Sequence, residues 1–135
     1  MVCNPYCMPC AKAHEAIEKL LDENSDICLQ IIFYTKEYKK NRQIVAHLLA
    51  LYQNTPSQIA QLLDDWFLSE GMTYESFSKL HPIQEEIIAM QENKICEMNE
   101  WCRREGIKYT PMIFVNGYKL PTLYSAADLK FFYAD

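Results

Sequence analysis

Three of the six cysteines of this chain lie within its first ten residues. Two of these occur in the motif Cys7-Met8-Pro9-Cys10, a spacing that suits a turn entering a helix with the first thiol at the helix N-terminus. There the unpaired backbone N–H groups and the helix dipole favour the thiolate over the thiol. A thiolate attacks disulfides, and a second thiol one turn later can release the mixed-disulfide partner. The motif therefore predicts a redox-active dithiol.

Two other interpretations of these cysteines stay open at this point. Together with His14, the cysteines Cys3, Cys7 and Cys10 offer four ligands of the types that zinc takes in proteins. Free cysteines are also common as inert core residues, because a thiol packs as a small apolar group. The spacing of the three cysteines matches the cluster-binding motif of radical-SAM enzymes as well, but 135 residues are too few for the barrel-type fold of those enzymes.

A second motif lies about a hundred residues further along the chain, in the segment 109–117. Pro111 stands directly before a predicted strand, Met112–Val115, and Asn116-Gly117 predicts a hairpin turn after it. A proline at such a strand entry can adopt the cis form, although most X–Pro bonds are trans. A capping box at Ser125–Asp128 then predicts a last helix.

The elements that must position these motifs form a mixed α and β pattern. Apolar residues at helical spacing predict a helix over residues 8–24. Residues 27–34 are β-branched and nearly continuously apolar, which is typical of a central strand covered on both faces. We therefore expect Cys28, in the middle of that strand, to be buried and inert.

The centre of the chain is predicted to be helical over about residues 38–105. Within it, residues 55–58 form a predicted capping box for a helix that carries Trp66 and Phe67, both expected in the core. The apolar pattern from Ile83 to Arg104 predicts one long helix.

The other chemically active side chains are interpreted as structural. His14 is expected to be a solvated helical histidine, and residues 36–42 a solvated basic helix start. Cys96 and Cys102 lie on the predicted long helix, separated by about 9 Å of helical rise. That distance is too long for a disulfide, so we expect the two not to be bonded.

Composition limits the classes of function. Half of the residues are hydrophobic, so a chain of this length can bury one core but not two. The net charge of −5 argues against nucleic acid as a partner. Six cysteines are too few for a disulfide scaffold. From this length we expect residues 1–135 to form a single domain. Because the cysteine cluster begins as early as Cys3, we also expect the chain to be a piece of a longer protein.

Taken together, these motifs resemble the thioredoxin superfamily. A CxxC that opens a helix, a buried strand, Thr110-Pro111 before a hairpin and a closing helix occur in the family's order. The helical block resembles the insertion of the DsbA-like disulfide oxidoreductases, and of thioredoxin-like domains fused to vitamin K epoxide reductase homologues. The resemblance implies an α/β thioredoxin-like fold with a central helical insertion over about 38–105. The family's first strand is largely missing, since only residues 2–4 remain of it.

The resemblance also implies roles for individual residues. Cys7 resembles the exposed nucleophile, Cys10 the buried resolving thiol and Pro111 the family's cis-proline, which the family places against the nucleophile. The backbone of Thr110 would pair with an extended substrate, and the implied substrate-binding set is Tyr6, Met8, Pro9, Thr110 and Pro111. Tyr6 departs from the tryptophan usual in thioredoxins. The buried acid that relays protons in relatives has no counterpart on the strand remnant, where Cys3 is not expected to take part in exchange.

The function implied is that of an enzyme, a thiol–disulfide oxidoreductase related to protein disulfide oxidoreductases and isomerases. It needs no cofactor and no metal, and its substrates would be protein thiols and disulfides. A membrane redox partner resembling vitamin K epoxide reductase and an extracytoplasmic, periplasmic location are implied by the same likeness. The alternative is a non-catalytic thioredoxin-like binding module of a larger envelope protein, with zinc bound by its cysteines.

Overall fold

The computed structural model describes residues 1–133, and it shows the mixed α and β class that the sequence predicts. Strands are few and short, and helices make up most of the structure. In chain order the elements are β1 (Val2–Cys3), α1 (Met8–Glu23), β2 (Ile32–Phe33), α2 (Lys39–Asn54), a 3-10 turn (Pro56–Gln58), α3 (Ile59–Leu68), α4 (Tyr74–Leu80), α5 (Glu85–Ala89), α6 (Glu92–Arg104), β3 (Phe114–Val115), β4 (Tyr118–Lys119) and a 3-10 helix (Ala126–Phe131).

Strand β1 lies between two partners. It pairs in parallel with β2, Val2 opposite Ile32, through the crossover helix α1. On its other side Val2 pairs antiparallel with Met112, with N–H···O distances of 2.8 and 3.0 Å. Antiparallel pairing places the residues that follow β1 beside those that precede Met112. The loop to the CxxC motif and the Thr110–Pro111 segment therefore meet.

The predicted hairpin is confirmed. Strands β3 and β4 pair antiparallel around Asn116 and Gly117, both of which have positive φ values of 50° and 86°. Two consecutive residues with positive φ are what the tightest hairpin turns require, and Asn-Gly accepts them with little strain.

The strand predicted over residues 27–34 is wrong in extent and in burial. Only Ile32–Phe33 is a strand, and residues before it alternate between exposed and partly buried. Cys28 is exposed rather than buried. Apolar composition alone does not tell whether a segment is covered on one face or on two. This segment is covered on one face only, so the prediction of a fully buried strand failed.

The helical centre is confirmed, but its long last helix is not continuous. It breaks into α5 and α6 at Met90-Gln91, where the Gln91 N–H bonds to the Ile88 carbonyl, three residues back. The fully buried Gln91 side chain donates to the Ile87 carbonyl and to Gln53 Oε1 on α2, at 3.0 and 2.9 Å. A buried amide needs such partners, and the tighter turn supplies them.

One predicted capping box is wrong and the other is confirmed. Thr55 caps nothing, because its hydroxyl donates back to the Leu51 carbonyl at 3.0 Å, and α3 starts only at Ile59 after a 3-10 turn. At the other site the Asp128 carboxylate accepts the Ser125 N–H at 2.8 Å, and the helix it starts is 3-10 rather than α.

The main core fills the space between α1, the sheet and the helical centre. Its largest buried side chains come from α2, α3, α4 and α6, and burial of each is worth about 1.5–3 kcal/mol. They include Ile44, Leu48, Leu62, Trp66, Phe77 and Ile95. A smaller cluster covers the opposite side of β1, formed by Val2, Cys102, Ile107 and Met112. None of the helices in residues 1–133 has both the length and the apolar character needed to cross a membrane.

Candidate active site

The CxxC motif starts α1 as the sequence predicts. Cys7 is the N-cap residue, in extended conformation, and its Sγ accepts the Cys10 N–H at 3.3 Å. Pro9 lies in the first turn, where its missing N–H leaves no helical hydrogen bond unmade. Cys7 is partly exposed, whereas Cys10 has no exposed surface. Cys7 is thus the thiol of the pair that a second molecule can reach.

The second predicted segment meets this thiol. The Cys7 thiol lies 3.6 Å from the Thr110 carbonyl oxygen, to which it donates. The Thr110–Pro111 peptide bond is cis, as the family resemblance implied. Residues 103 positions apart in the chain are in this way brought into direct contact.

The acid–base properties of the pair differ from the expected ones, which placed the thiolate on Cys7. The pKa of Cys10 is lowered to about 6, chiefly because the Cys3 thiol hydrogen-bonds to it, against the opposing effect of burial. The Asn4 N–H also donates to Cys10 Sγ, at 3.4 Å. Burial raises the pKa of Cys7, and so does its hydrogen bond with Cys10. The pair therefore loses one proton readily and holds the second firmly.

Cys3 belongs to the site, which the sequence analysis did not foresee. It is fully buried on β1, and its pKa is raised well above the ordinary value by its hydrogen bond with Cys10 and by burial. Cys3 therefore stays a thiol and serves as a donor to the Cys10 thiolate. Its position four residues before Cys7 was visible in the sequence, but β1 alone brings it to Cys10.

Side chains from the helical centre hold the loop that precedes Cys7. Trp66 Nε1 on α3 donates to the Pro5 carbonyl at 2.8 Å. Asn4 Oδ1 accepts the Tyr6 N–H at 2.8 Å and the Asn41 Nδ2 of α2 at 3.0 Å. The predicted core position of Trp66 is confirmed. No local sequence signal points to the contacts of Asn41 with Asn4 and of Trp66 with Pro5, since the partners lie 37 and 61 residues apart.

The remaining predicted substrate-binding residues surround Cys7 on the surface. Met8 is 71% exposed, and the Tyr6 ring stands edge-on to Trp66 at 5.4 Å between centroids. Pro9 and Pro111 line a common recess of about 440 Å³. The apolar walls of that recess continue through Ala13, Ala16, Met112, Ile113 and Leu120.

A second recess, of about 130 Å³, includes Thr110 in its wall. Its walls are polar and aromatic and are formed by Asn4, Tyr34, Lys36, Tyr38, Lys108, Tyr109 and Thr110. Tyr109 borders both recesses. The Thr110–Pro111 segment therefore borders an apolar recess through Pro111 and a polar recess through Thr110.

The four residues proposed as zinc ligands do not assemble. Within residues 1–133 the group of three ligand-type side chains close enough to share an ion is His14, Glu18 and Asp64, which includes no cysteine. Cys3, Cys7 and Cys10 thus do not form a metal site with His14.

His14 is buried, not solvated as predicted. Its Nε2 bonds to Asp64 Oδ1 at 2.9 Å and lies 3.6 Å from Glu18 Oε2, while its Nδ1 has no partner among the described residues. A metal on Nε2 would drive the ring proton to Nδ1, where it would be buried without an acceptor. The arrangement is better suited to a histidine whose Nε2 donates to Asp64, linking α1 to α3.

The remaining cysteines lie outside the site. Cys96 is exposed and Cys102 is buried, both on the unbroken helix α6, and neither is bonded to another cysteine. The helix between them is continuous, as the sequence analysis predicted. Burial raises the pKa of Cys102 to about 11, so this thiol is unreactive at neutral pH.

Comparison with known proteins assigns no family to this geometry, since no protein-family model and no curated protein matches the chain. The function has to be inferred from the site itself.

Proposed function

We propose that this protein is a thiol–disulfide oxidoreductase of thioredoxin-like fold, with the helical centre as an insertion. The observation that carries the proposal is the position of Cys7. A partly exposed thiol caps a helix, accepts the Cys10 N–H at 3.3 Å and lies 3.6 Å from the Thr110 carbonyl. The parallel β1–β2 unit joined by α1, the antiparallel pairing at Met112 and the terminal hairpin support the fold assignment.

The proposed reaction is a two-step exchange. The Cys7 thiolate attacks one sulfur of a substrate disulfide, forming a Cys7–substrate disulfide as the original S–S bond breaks and the other substrate sulfur leaves as a thiolate. The Cys10 thiolate then attacks the Cys7 sulfur and releases the second substrate sulfur. Two electrons pass from the dithiol to the substrate, and the two protons end on the released thiols. In reverse, the same steps oxidise a substrate dithiol.

The local chemistry supports these roles. Because the pKa of Cys10 is about 6, Cys10 is available as a thiolate at neutral pH to attack the mixed disulfide. A single charge shared by the pair passes to Cys7 when Cys10 takes up the proton of the neighbouring thiol. The donors from Cys3 and Asn4 stabilise the reduced state of the pair, which favours its action as an oxidant.

The substrates we propose are proteins with accessible thiols or disulfides. An extended segment can pair with the backbone at Thr110 while its sulfur meets Cys7. The exchange itself uses no cofactor. A membrane redox partner similar to vitamin K epoxide reductase and an extracytoplasmic, periplasmic location complete the proposal by resemblance.

The test compares cysteine variants in disulfide exchange. The reduced protein should reduce hydroxyethyl disulfide, and Cys7→Ser should abolish the reaction. Cys10→Ser should accumulate a mixed disulfide at Cys7, detected by mass spectrometry after digestion. Cys96→Ser, which changes an exposed cysteine outside the site, serves as the matched control and should behave as the parent protein. Full activity of Cys7→Ser, or inactivity of the parent, would refute the proposal.

A further inference from the structure

The charged side chains that line the two recesses at Thr110 and Pro111 are all basic, although the protein as a whole is acidic. The chain has 18 acidic and 13 basic residues, giving a net charge of −5. Yet the residues that line the two recesses beside Thr110 and Pro111 include three lysines and no carboxylate. Lys12 lines the apolar recess, and Lys36 and Lys108 line the polar one. A fourth lysine, Lys40, lies 4.2 Å from the centroid of the Tyr6 ring.

These four lysines are not engaged in ion pairs within residues 1–133. The lysine and arginine pairs of that part of the chain lie elsewhere and involve Lys19, Arg42, Lys79 and Arg103. Glu37 follows Lys36 in the chain but lines neither recess. Lys36 and Lys40 contact the rings of Tyr34 and Tyr6. No carboxylate within residues 1–133 neutralises the four lysines, so their charges can meet a negative charge on a second molecule.

The backbone at Lys36 is held in place by buried groups. Lys36 has a φ of 52°, an uncommon conformation for a residue with a side chain. Its carbonyl accepts hydrogen bonds from Asn99 Nδ2 at 3.2 Å and from the Thr35 hydroxyl at 3.3 Å. Asn99 and Thr35 are both buried and bonded to each other. The start of the Lys36 side chain is thus directed by a polar network in the interior.

From this arrangement we propose that the site prefers acidic substrate segments. Resting on the proposed exchange activity, the inference names the substrate class. It is an extended polypeptide whose disulfide cysteine is flanked by an apolar residue on one side and by Asp or Glu on the other. The apolar side chain occupies the recess of Pro9 and Pro111, and the carboxylate meets Lys36 and Lys108 across Thr110.

The size of the preference follows from the exposure of these lysines. Ion pairs at a protein surface are weak and are screened by salt, so an effect of about three- to fivefold on rate is expected at low ionic strength. Because the lysines also attract an acidic segment before contact, the effect should appear in the second-order rate constant.

The probe is a set of short peptides, each with one cysteine in a mixed disulfide with a methylthio group. In each peptide a leucine stands on one side of the cysteine and the varied residue, Asp, Asn or Lys, stands on the other. Each peptide is made in both orders, with the leucine before or after the cysteine. Single-turnover rate constants with the fully reduced protein give the preference without a recycling reductant. We expect Asp to react about three- to fivefold faster than Asn in one order at least, and Lys to react slowest.

Two variants and a salt series locate the effect. The double substitution Lys36→Gln and Lys108→Gln should equalise the Asp and Asn peptides, whereas Lys94→Gln, on the exposed face of α6, should preserve the difference. Added salt should reduce the preference in the parent protein. Equal rates for all three residues in both orders, or a preference that survives the double substitution, would overturn the inference. Failure to react with any peptide and with hydroxyethyl disulfide would instead refute the exchange activity, and the inference with it.

Discussion

Trp66 Nε1 donates a hydrogen bond of 2.8 Å to the Pro5 carbonyl, and this contact ties helix α3 to the loop that delivers Cys7. The bond is buried, so the carbonyl has no access to water as a substitute. The helical centre therefore does more than cover the core, since it also holds the loop that precedes Cys7.

Replacing Trp66 by Phe should show this coupling. The change keeps an aromatic ring but leaves the Pro5 carbonyl without its donor, which costs about 1–3 kcal/mol of unfolding free energy. We also expect slower disulfide exchange, because the loop before Cys7 loses a tether. Denaturant unfolding and single-turnover rates measure the two effects. Trp101→Phe is the control, because that indole packs edge-on against Phe114 and does not bond to Pro5. Equal loss in both variants would show that indole volume, not the hydrogen bond, matters.

Cys3→Ala should raise the pKa of Cys10. The parent value of about 6 depends first on the hydrogen bond from Cys3, which alanine cannot make. Thiolate absorbance of the reduced protein, followed against pH, gives the midpoint. Cys3→Ser retains a donor and should shift the midpoint less, while Cys96→Ala should leave it unchanged. A midpoint near 6 in Cys3→Ala would show that Cys3 does not lower the pKa of Cys10.

The reduced pair should also stabilise the fold in a pH-dependent way. The folded pKa of Cys10 is depressed below its ordinary value of 9.0. Its contribution is therefore fully present above about pH 9 and is lost as the pH falls through about 6. The stability difference between reduced parent and Cys10→Ala should grow between these values, measured by denaturant unfolding. A difference that is constant across this interval would contradict the lowered pKa.

Glu18→Gln should stabilise the protein at alkaline but not at acid pH. Burial and the nearby Asp64 raise the pKa of Glu18 to about 7, so the folded state resists its ionisation. A raised carboxyl pKa costs stability progressively as the pH rises from the ordinary value of 4.5 to about 7. Unfolding measured at pH 4 and pH 8 should show a gain only at the higher pH. Glu23→Gln, exposed at the end of the same helix, should show no such gain.

Alkylation of the native reduced protein should separate the cysteines by exposure. Cys28 and Cys96 are exposed and should react in the native protein. Cys3 and Cys102 are buried and have raised pKa values, so both should react only after unfolding. Peptide mapping by mass spectrometry identifies each product. If Cys28 were protected from alkylation in the native protein, it would be buried in the core, as first expected from the sequence.

Local features of this protein were decided by the sequence alone. The helix that begins at Met8, the hairpin turn at Asn116-Gly117 and the Ser125 capping box all depend on residues within a few positions of one another. Backbone preferences and capping act over that distance, so neighbouring side chains suffice to specify them. The CxxC motif was placed at the start of α1 for the same reason, since the spacing of its cysteines and the helix start are both local.

Tertiary structure decided which distant groups meet. Cys3 reaches Cys10 because β1 pairs with both β2 and Met112, and Cys28 is exposed because its segment is covered on one face only. The break before α6 exists because the buried amide of Gln91 finds partners there. Such outcomes depend on which surfaces pack together and on whether each buried polar group is satisfied. The pattern of apolar and polar residues does not determine which surfaces pack together or which polar groups find partners. That pattern specifies the faces to be buried but not the elements that cover them.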